Sequence, residues 1–266
     1  MKPIETIIGF VTKTLALAEM EVRKLRHDPT ELLTRVVQPV LWLLVFGEVF
    51  SKVKAIPTDN IPYIDFLTPG ILAQSVLFIA IFYGIAVIWE RDLGIVHKFL
   101  ASPTPRSALV LGKALSAGIR GLSQALIIYL LAILIGVHLR WGVLEILGVL
   151  VLVMLGAAVF STLSLVIACL VRTRERFMGI GQLLTMPLFF ASNALYPVSL
   201  MPTGLQAIAG GNPLTYLVDG LRSLMLPGYS AEFPAEFPLA LDFGALILAM
   251  VILVLIGARL YPRLAR

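Results

Sequence analysis

Charge is what this sequence has least of. Asp, Glu, Lys and Arg make up 14% of its 266 residues, where ordinary globular chains carry about 25%. That is too little to cover a soluble domain of this size, and the 59% hydrophobic share excludes disorder. Cysteine occurs once, as Cys169 inside an apolar run; an internal disulfide is excluded and a small packing residue is expected. The three histidines, His27, His97 and His138, are scattered and no His-Glu-x-x-His occurs, so a clustered metal site is missing. The apolar stretches contain no acidic pair of the kind metal-assisted prenyl or phosphoryl transfer needs, and no nucleophilic serine with a nearby base. The phosphate-cradling Gly-x-x-x-x-Gly-Lys-Ser/Thr is also absent, because Gly112-Lys113 lacks the upstream glycine and the hydroxyl residue; ATP hydrolysis by that route is excluded. The net charge of +5 comes without a basic patch interleaved with aromatics, so nucleic acid is not an expected partner. The first 30 residues hold no continuous apolar core, so no signal peptide is expected.

What the sequence has instead is long uncharged runs. Phe66–Trp89, Gly121–Leu139, Ile146–Val171, Phe177–Val218 and Phe243–Ala258 contain no Asp, Glu, Lys or Arg. A bilayer core needs roughly 20 apolar helical residues. With Leu32–Val53, which carries Arg35, Glu48 and Lys52 near its ends, the runs predict an all-α integral membrane protein with six spans. They fall at about 34–55, 67–89, 115–137, 143–171, 177–198 and 240–261. If the N-terminus is cytoplasmic, Lys and Arg number six in residues 1–35, five in 90–120, three in 172–176 and three in 259–266. The outside receives only Lys52, Lys54, Arg140 and Arg222. This 17-to-4 split follows the positive-inside rule and predicts both termini in the cytoplasm.

Residues 177–218 are long enough for two spans, but a second crossing would carry Arg259, Arg263 and Arg266 outside, against that rule. Pro197, Pro202, Gly204, Gly210, Gly211 and Pro213 break helices. Residues 199–227 are therefore read as re-entrant, entering the outer half of the membrane and returning. Asn212-Pro213 is a helix start, and a cap of this kind is worth about 1 kcal/mol. Asp219 and Arg222, three apart on the helix that follows, share a face and can pair. At the other end of the chain, Ile4, Ile7, Ile8, Val11, Leu15, Ala18, Val22 and Leu25 make one helical face flanked by Lys13, Arg23, Lys24 and Arg26. Residues 1–30 read as an amphipathic helix lying on the cytoplasmic membrane surface or on a partner protein.

The middles of the spans carry almost no charge, so ion-coupled transport has no obvious carrier; Glu48 falls near an end. Uncharged polar residues do occur at depth. Gln74, Tyr83, Gln124, Gln182 and Asn193 either line a substrate route or hydrogen-bond between helices. Met186-Pro187 is expected to kink span five. The richest segment is Glu90–Lys113, ERDLGIVHKFLASPTPRSALVLGK. Glu90-Arg91-Asp92 closes span two, residues 94–100 can form a short helix, and Ser102-Pro103-Thr104-Pro105 stops it. A short rigid helix projecting into the cytoplasm is a handle for a partner.

That segment resembles the first cytoplasmic loop of type-2 ABC exporter permeases. The resemblance rests on Glu90, Arg91, Gly94, Phe99, Leu100, Ser102, Pro103, Gly112 and Lys113. It also rests on Tyr196-Pro197, Leu200-Met201-Pro202 and the run Asn212–Arg222, which look like the family's stretch before its last span. It extends over essentially the whole chain and is strongest to the drug-resistance and nodulation-factor export branch. It implies a half-transporter in a bacterial inner membrane. Two permease chains, as a homodimer, would pair above two copies of a separate ATPase. ATP and Mg would bind that ATPase, with no cofactor on this chain. Glu90, Arg91, Asp92, Gly94, Lys98, Phe99 and Leu100 would couple to the ATPase. Tyr196, Pro197, Pro202, Asn212, Pro213, Tyr216, Asp219 and Arg222 would belong to an outer gate. The 9% aromatic share forms no dense girdle, which favours an amphipathic, drug-like or lipid-like cargo over a lipid-linked oligo- or polysaccharide. A non-transporting scaffold or intramembrane enzyme is the alternative of a different class.

Overall fold

The computed structural model describes residues 37–53, 61–101, 104–171, 173–227 and 235–265 without a gap, and residues 9, 11–16, 19, 23, 56, 58 and 229 singly or in short pieces. Most of the amphipathic segment 1–30 lies outside the described residues, as do Ser102 and Pro103; the described residues of 1–30 are helical.

Among the described residues the fold is all-helical, with no strand. Helix α1 runs through Val37–Leu41, a π-helical stretch Trp42–Gly47, and Glu48–Val53. Helices α2 (Tyr63–Phe82) and α3 (Gly84–Asp92) follow, then the short α4 (Ile95–Ala101). The long α5 (Arg106–Ile135) and α6 (Val143–Leu170) come next, then α7 (Arg174–Phe190), α8 (Thr203–Gly211), α9 (Pro213–Met225) and α10 (Leu239–Leu260). Among the described residues, four helical stretches are long and apolar enough to cross a membrane: Tyr63–Asp92, Arg106–Ile135, Val143–Leu170 and Leu239–Leu264. The described part of α1 and the 17 residues of α7 fall short of that length.

The helix ends differ from the expected span limits in three places. Span two begins at Tyr63 and is broken at Tyr83. There Ser164 of α6 donates to the Ile81 carbonyl, and Gly84 lies too close to Ser164 and Phe177 to accept a side chain. A hydroxyl inserted into the ladder is an ordinary cause of such a kink. The helix that covers span three begins at Arg106, so Lys113 sits inside it and not in a loop. The helix α7 ends at Phe190, short of the 198 expected for span five: Pro187 brings no N–H to the last turn, and the chain closes with Ala191 N donating to Pro187 O at 2.8 Å.

Helix α2 is the hub. The most apolar window of α2–α3 is 72% buried within the chain, against 17% for α10, whose Leu248, Val251 and Leu255 face outward. α5 and α6 pack along each other, with Gly121 against Val153 and Ala157. α9 lies on α6 from Gly156, halfway along α6, where Leu217 packs, to Gly148 near its start, where Leu224 packs. Thirteen residues of helix span about 20 Å, half of what α6 covers. A second core joins α3, α4, α5, α7 and the C-terminal turn through Val87, Val96, Leu109, Phe177 and Tyr261.

Candidate functional site

The α4 end of the bundle is built around a buried ion pair. Glu90 and Lys113 are 5% and 7% exposed, and Lys113 Nζ donates to Glu90 Oε2 at 2.6 Å. The pair locks the end of α3 to α5 across the 22 residues between them, which include α4. Arg91 donates to the Val171 carbonyl at 3.1 Å. Asp92 accepts from Arg174 Nη2 at 2.8 Å, and the Arg174 guanidinium stacks 3.5 Å from the Trp89 ring. The start of α7 is thus tied to the end of α3. Between α3 and α4 the chain reverses at Gly94, with φ +71°, and its N–H reaches Arg91 O at 2.9 Å. Nothing lies within 4 Å of where its Cβ would stand, so glycine is needed for the backbone angle, not for room. α4 seats Val96 in the core and presents His97 and Lys98 outward.

The predicted coupling residues therefore divide. Glu90 is buried and holds the helix in place. Asp92, His97 and Lys98 are exposed, and Arg91, Gly94, Phe99 and Leu100 are partly so.

At the opposite end, Asn212 is 4% exposed and makes three hydrogen bonds. Its Oδ1 accepts from Leu214 N at 3.0 Å, capping α9. Its Nδ2 donates to Leu188 O at 2.7 Å and Ala191 O at 3.2 Å, two carbonyls freed where α7 ends. Asp219 and Arg222, 0% and 1% exposed, are not the direct pair that their spacing suggests. Asp219 accepts from Tyr229 Oη at 2.7 Å and from the N–H groups of Glu236 and Phe237 at 3.1 and 2.9 Å. Arg222 donates to Phe66 O at 3.1 Å and Ala194 O at 3.0 Å and stacks 3.5 Å from the Phe66 ring. Gly70 lets the Ala194 backbone come this close, because a Cβ there would strike the Ala194 carbonyl. One charge holds the chain before α10, the other holds the 191–197 loop and α2. Burial raises the pKa of the Tyr229 phenol and, foremost among several causes, that of Glu236. The other predicted gate residues are less enclosed. Pro202 is exposed, Tyr196 and Tyr216 are partly buried, and their hydroxyls donate to Phe190 O and Gly210 O at 2.5 and 2.6 Å. Pro197 is buried and Pro213 partly buried at the first position of α9.

The five deep polar residues are not gathered into one lane. Gln182 lies on the exposed face of α7, while Gln74, Tyr83, Gln124 and Asn193 are buried. Several polar contacts went unread in the sequence. Asp65 pairs with His138 Nδ1 at 2.9 Å, Arg140 N donates to Met225 O at 2.8 Å, and Asp242 is 0% exposed. Only the opposite charges on either side of α4 signalled the Glu90–Lys113 lock. The aromatics, dispersed in sequence, also meet. Trp42, Phe46, Phe50, Tyr63 and Phe66 follow one another with centroid spacings of 4.5 to 6.4 Å, and Trp42 meets Phe189 at 5.6 Å.

The bundle has a short helix braced at one end and a half-length helix buried at the other. The chain belongs to the ABC-2 type transporter family, whose profile matches residues 12–226. It is 27% identical to the daunorubicin resistance ABC transporter permease protein DrrB1 of Streptomyces coeruleorubidus, over 81% of this chain and 75% of that protein. It is 25% identical to nodulation protein J of Rhizobium leguminosarum bv. viciae, over 87% of this chain and 86% of the relative. A Cyanophora paradoxa protein bearing the transport-permease name ycf38 is 26% identical over 98% of this chain and 91% of its own length. The chain is thus a multi-pass membrane permease, the transport component and not the catalytic one.

Proposed function

We propose that this chain is the membrane half of an ATP-driven exporter, moving an amphipathic, drug-like or lipid-like substrate outward across a bacterial inner membrane. Two copies pair and two copies of a separate ATPase, carrying ATP and Mg, dock at the α4 end. The observation that carries this reading is α4 itself. It is held rigid by the Glu90–Lys113 lock, aimed by the Gly94 turn, and offers His97 and Lys98 to a partner. Motion of α4 reaches α7 through the Asp92–Arg174 pair and reaches the start of α9 through Asn212. Six spans with both termini cytoplasmic fit the 17-to-4 charge split, with α1 and α7 as the two shorter crossings, α8 and α9 as the re-entrant gate, and residues 1–30 on the inner surface. The test is efflux from sealed vesicles holding this permease and its cognate ATPase. Transport requiring both, and lost with a hydrolysis-dead ATPase, supports the reading; transport by the permease alone refutes it.

A lipid-linked oligo- or polysaccharide is the second reading. The aromatic row from Trp42 to Phe66 favours it, since stacked rings can carry sugar faces. Substrate-stimulated ATP hydrolysis by a glycolipid, and none by an uncharged amphipathic drug, would select it.

A further inference from the structure

Two apolar cores divide the bundle by level. One holds Leu77, Ala117, Val153, Phe189 and Leu246; the other holds Val87, Leu109, Leu165, Phe177 and Val254. The α2–α3 stretch and helices α5, α6, α7 and α10 each run from one core into the other. The second core is tied together within itself. Glu90–Lys113, Arg91 on the Val171 carbonyl and Asp92–Arg174 join the end of α3 to α5, to the end of α6 and to the start of α7. α4 rides on this unit through Val96.

Hydroxyls enter the helix ladders where the cores meet. Ser164 of α6, 0% exposed, donates to Ile81 O just before α2 stops at Phe82. Beyond the break, Ala86 N donates to Tyr83 O at 3.0 Å, a bond to the third residue back in place of the fourth. Ser161 and Thr162 both donate to Ala158 O, at 3.2 and 2.7 Å, and Thr185 donates to Gly181 O at 2.5 Å. Hydroxyls bonded back to a carbonyl one turn earlier weaken a helix and bend it. The sites stand at one level. A Cβ on Gly181 would lie 3.4 Å from Ile81 Cγ2, and a Cβ on Gly84 would strike Ser164 Oγ and the Phe177 ring. α5 and α10 cross this level unbroken, so the bend they allow is the gentle curvature of a long helix.

We infer that this level is a hinge and that Ser164 is the positioning residue at its pivot. The α3–α4 unit turns on α2 about Tyr83 and Gly84, and the Ser164 hydroxyl supplies a donor for the Ile81 carbonyl at the kink. α3 has nine residues, so a change of about 20° in the kink carries its far end, and α4 with it, through about 5 Å. The division into two units stands on packing alone; only the drive of the hinge by ATP rests on the export reading.

The test reads distances between spin labels on full-length permease in phosphatidylcholine nanodiscs, on a Cys169→Ala background. All four label positions are exposed. Lys98→Cys with Leu147→Cys reports across the hinge. Lys98→Cys with Met178→Cys stays within the α4 unit, and Leu147→Cys with Leu248→Cys stays within the other. With no ATPase present, Ser164→Ala should shift or broaden the distances across the hinge by up to about 5 Å and leave both other pairs as in wild type. Thr162→Val removes a back-bond at the same level with little change of shape; it should move the same pair and serves if Ser164→Ala fails to fold. Unchanged distances across the hinge in the folded variants refute the pivot. Equal changes in all three pairs would mean general loosening and overturn it too. With the cognate ATPase added, ATP should change the pair across the hinge alone. A hinge that answers to Ser164→Ala but not to ATP would stand, and the export reading would lose its drive instead.

Discussion

Replacing Asn212 by alanine tests how the α9 end is held. The cap on Leu214 N is worth about 1 kcal/mol. The structure adds the two bonds from Nδ2 to Leu188 O and Ala191 O. Losing those two bonds costs about 0.5–1.5 kcal/mol each, taken as the net worth of an ordinary hydrogen bond. Asn212→Ala should therefore destabilise the protein by about 2–4 kcal/mol in total, beyond what the cap alone explains. Asn212→Ser keeps a capping oxygen and loses the amide, so it should fall between wild type and alanine. Asn212→Asp is the sharper case. It caps as well as asparagine does, but turns an acceptor toward two carbonyl oxygens, and should be the least stable of the three. Thermal unfolding of the detergent-solubilised permease, followed by circular dichroism, reads the order. If Asn212→Asp matched wild type, the clamp on the end of α7 would not exist, and Asn212 would be a cap only. A loss of export larger than the loss of stability would further mark the joint as a gate.

Glu90→Lys places a second cation beside Lys113 in a buried site, and breaking a buried pair costs about 3–5 kcal/mol. The swap Glu90→Lys with Lys113→Glu should recover part of that in the same melting assay, and no recovery would refute the lock. Gly94→Ala forces a left-handed backbone angle costing about 1 kcal/mol although space is free. It should lower substrate-stimulated ATP hydrolysis in the assembled complex, and normal stimulation would remove α4 from coupling. For topology, Ser230→Cys should label with an impermeant maleimide from outside intact cells and Ser107→Cys only after permeabilisation; the reverse pattern overturns the six-span arrangement.

Hydropathy alone was enough to identify an all-helical membrane protein, because uncharged runs such as Ile146–Val171 have no other stable home. Local chemistry was also legible: Asn212-Pro213 starts α9 and Gly94 opens the turn into α4, since caps and backbone angles depend on neighbours in the chain. Helix ends were less so. The helix α7 stops at Phe190 and α5 starts at Arg106, because a charge-free run measures what lipid tolerates, whereas a helix runs until a proline or a tertiary bond ends it. The partners of the charges were hidden altogether. Asp219 and Arg222 share a helical face, yet they bind segments far apart in sequence: Tyr229 and residues 236–237 on one side, Phe66 and Ala194 on the other. Arg120, summed with the cytoplasmic charges of residues 90–120, sits within α5. A buried charge takes whatever partner the packed helices bring within about 3 Å, and which helices meet is decided by the whole core at once.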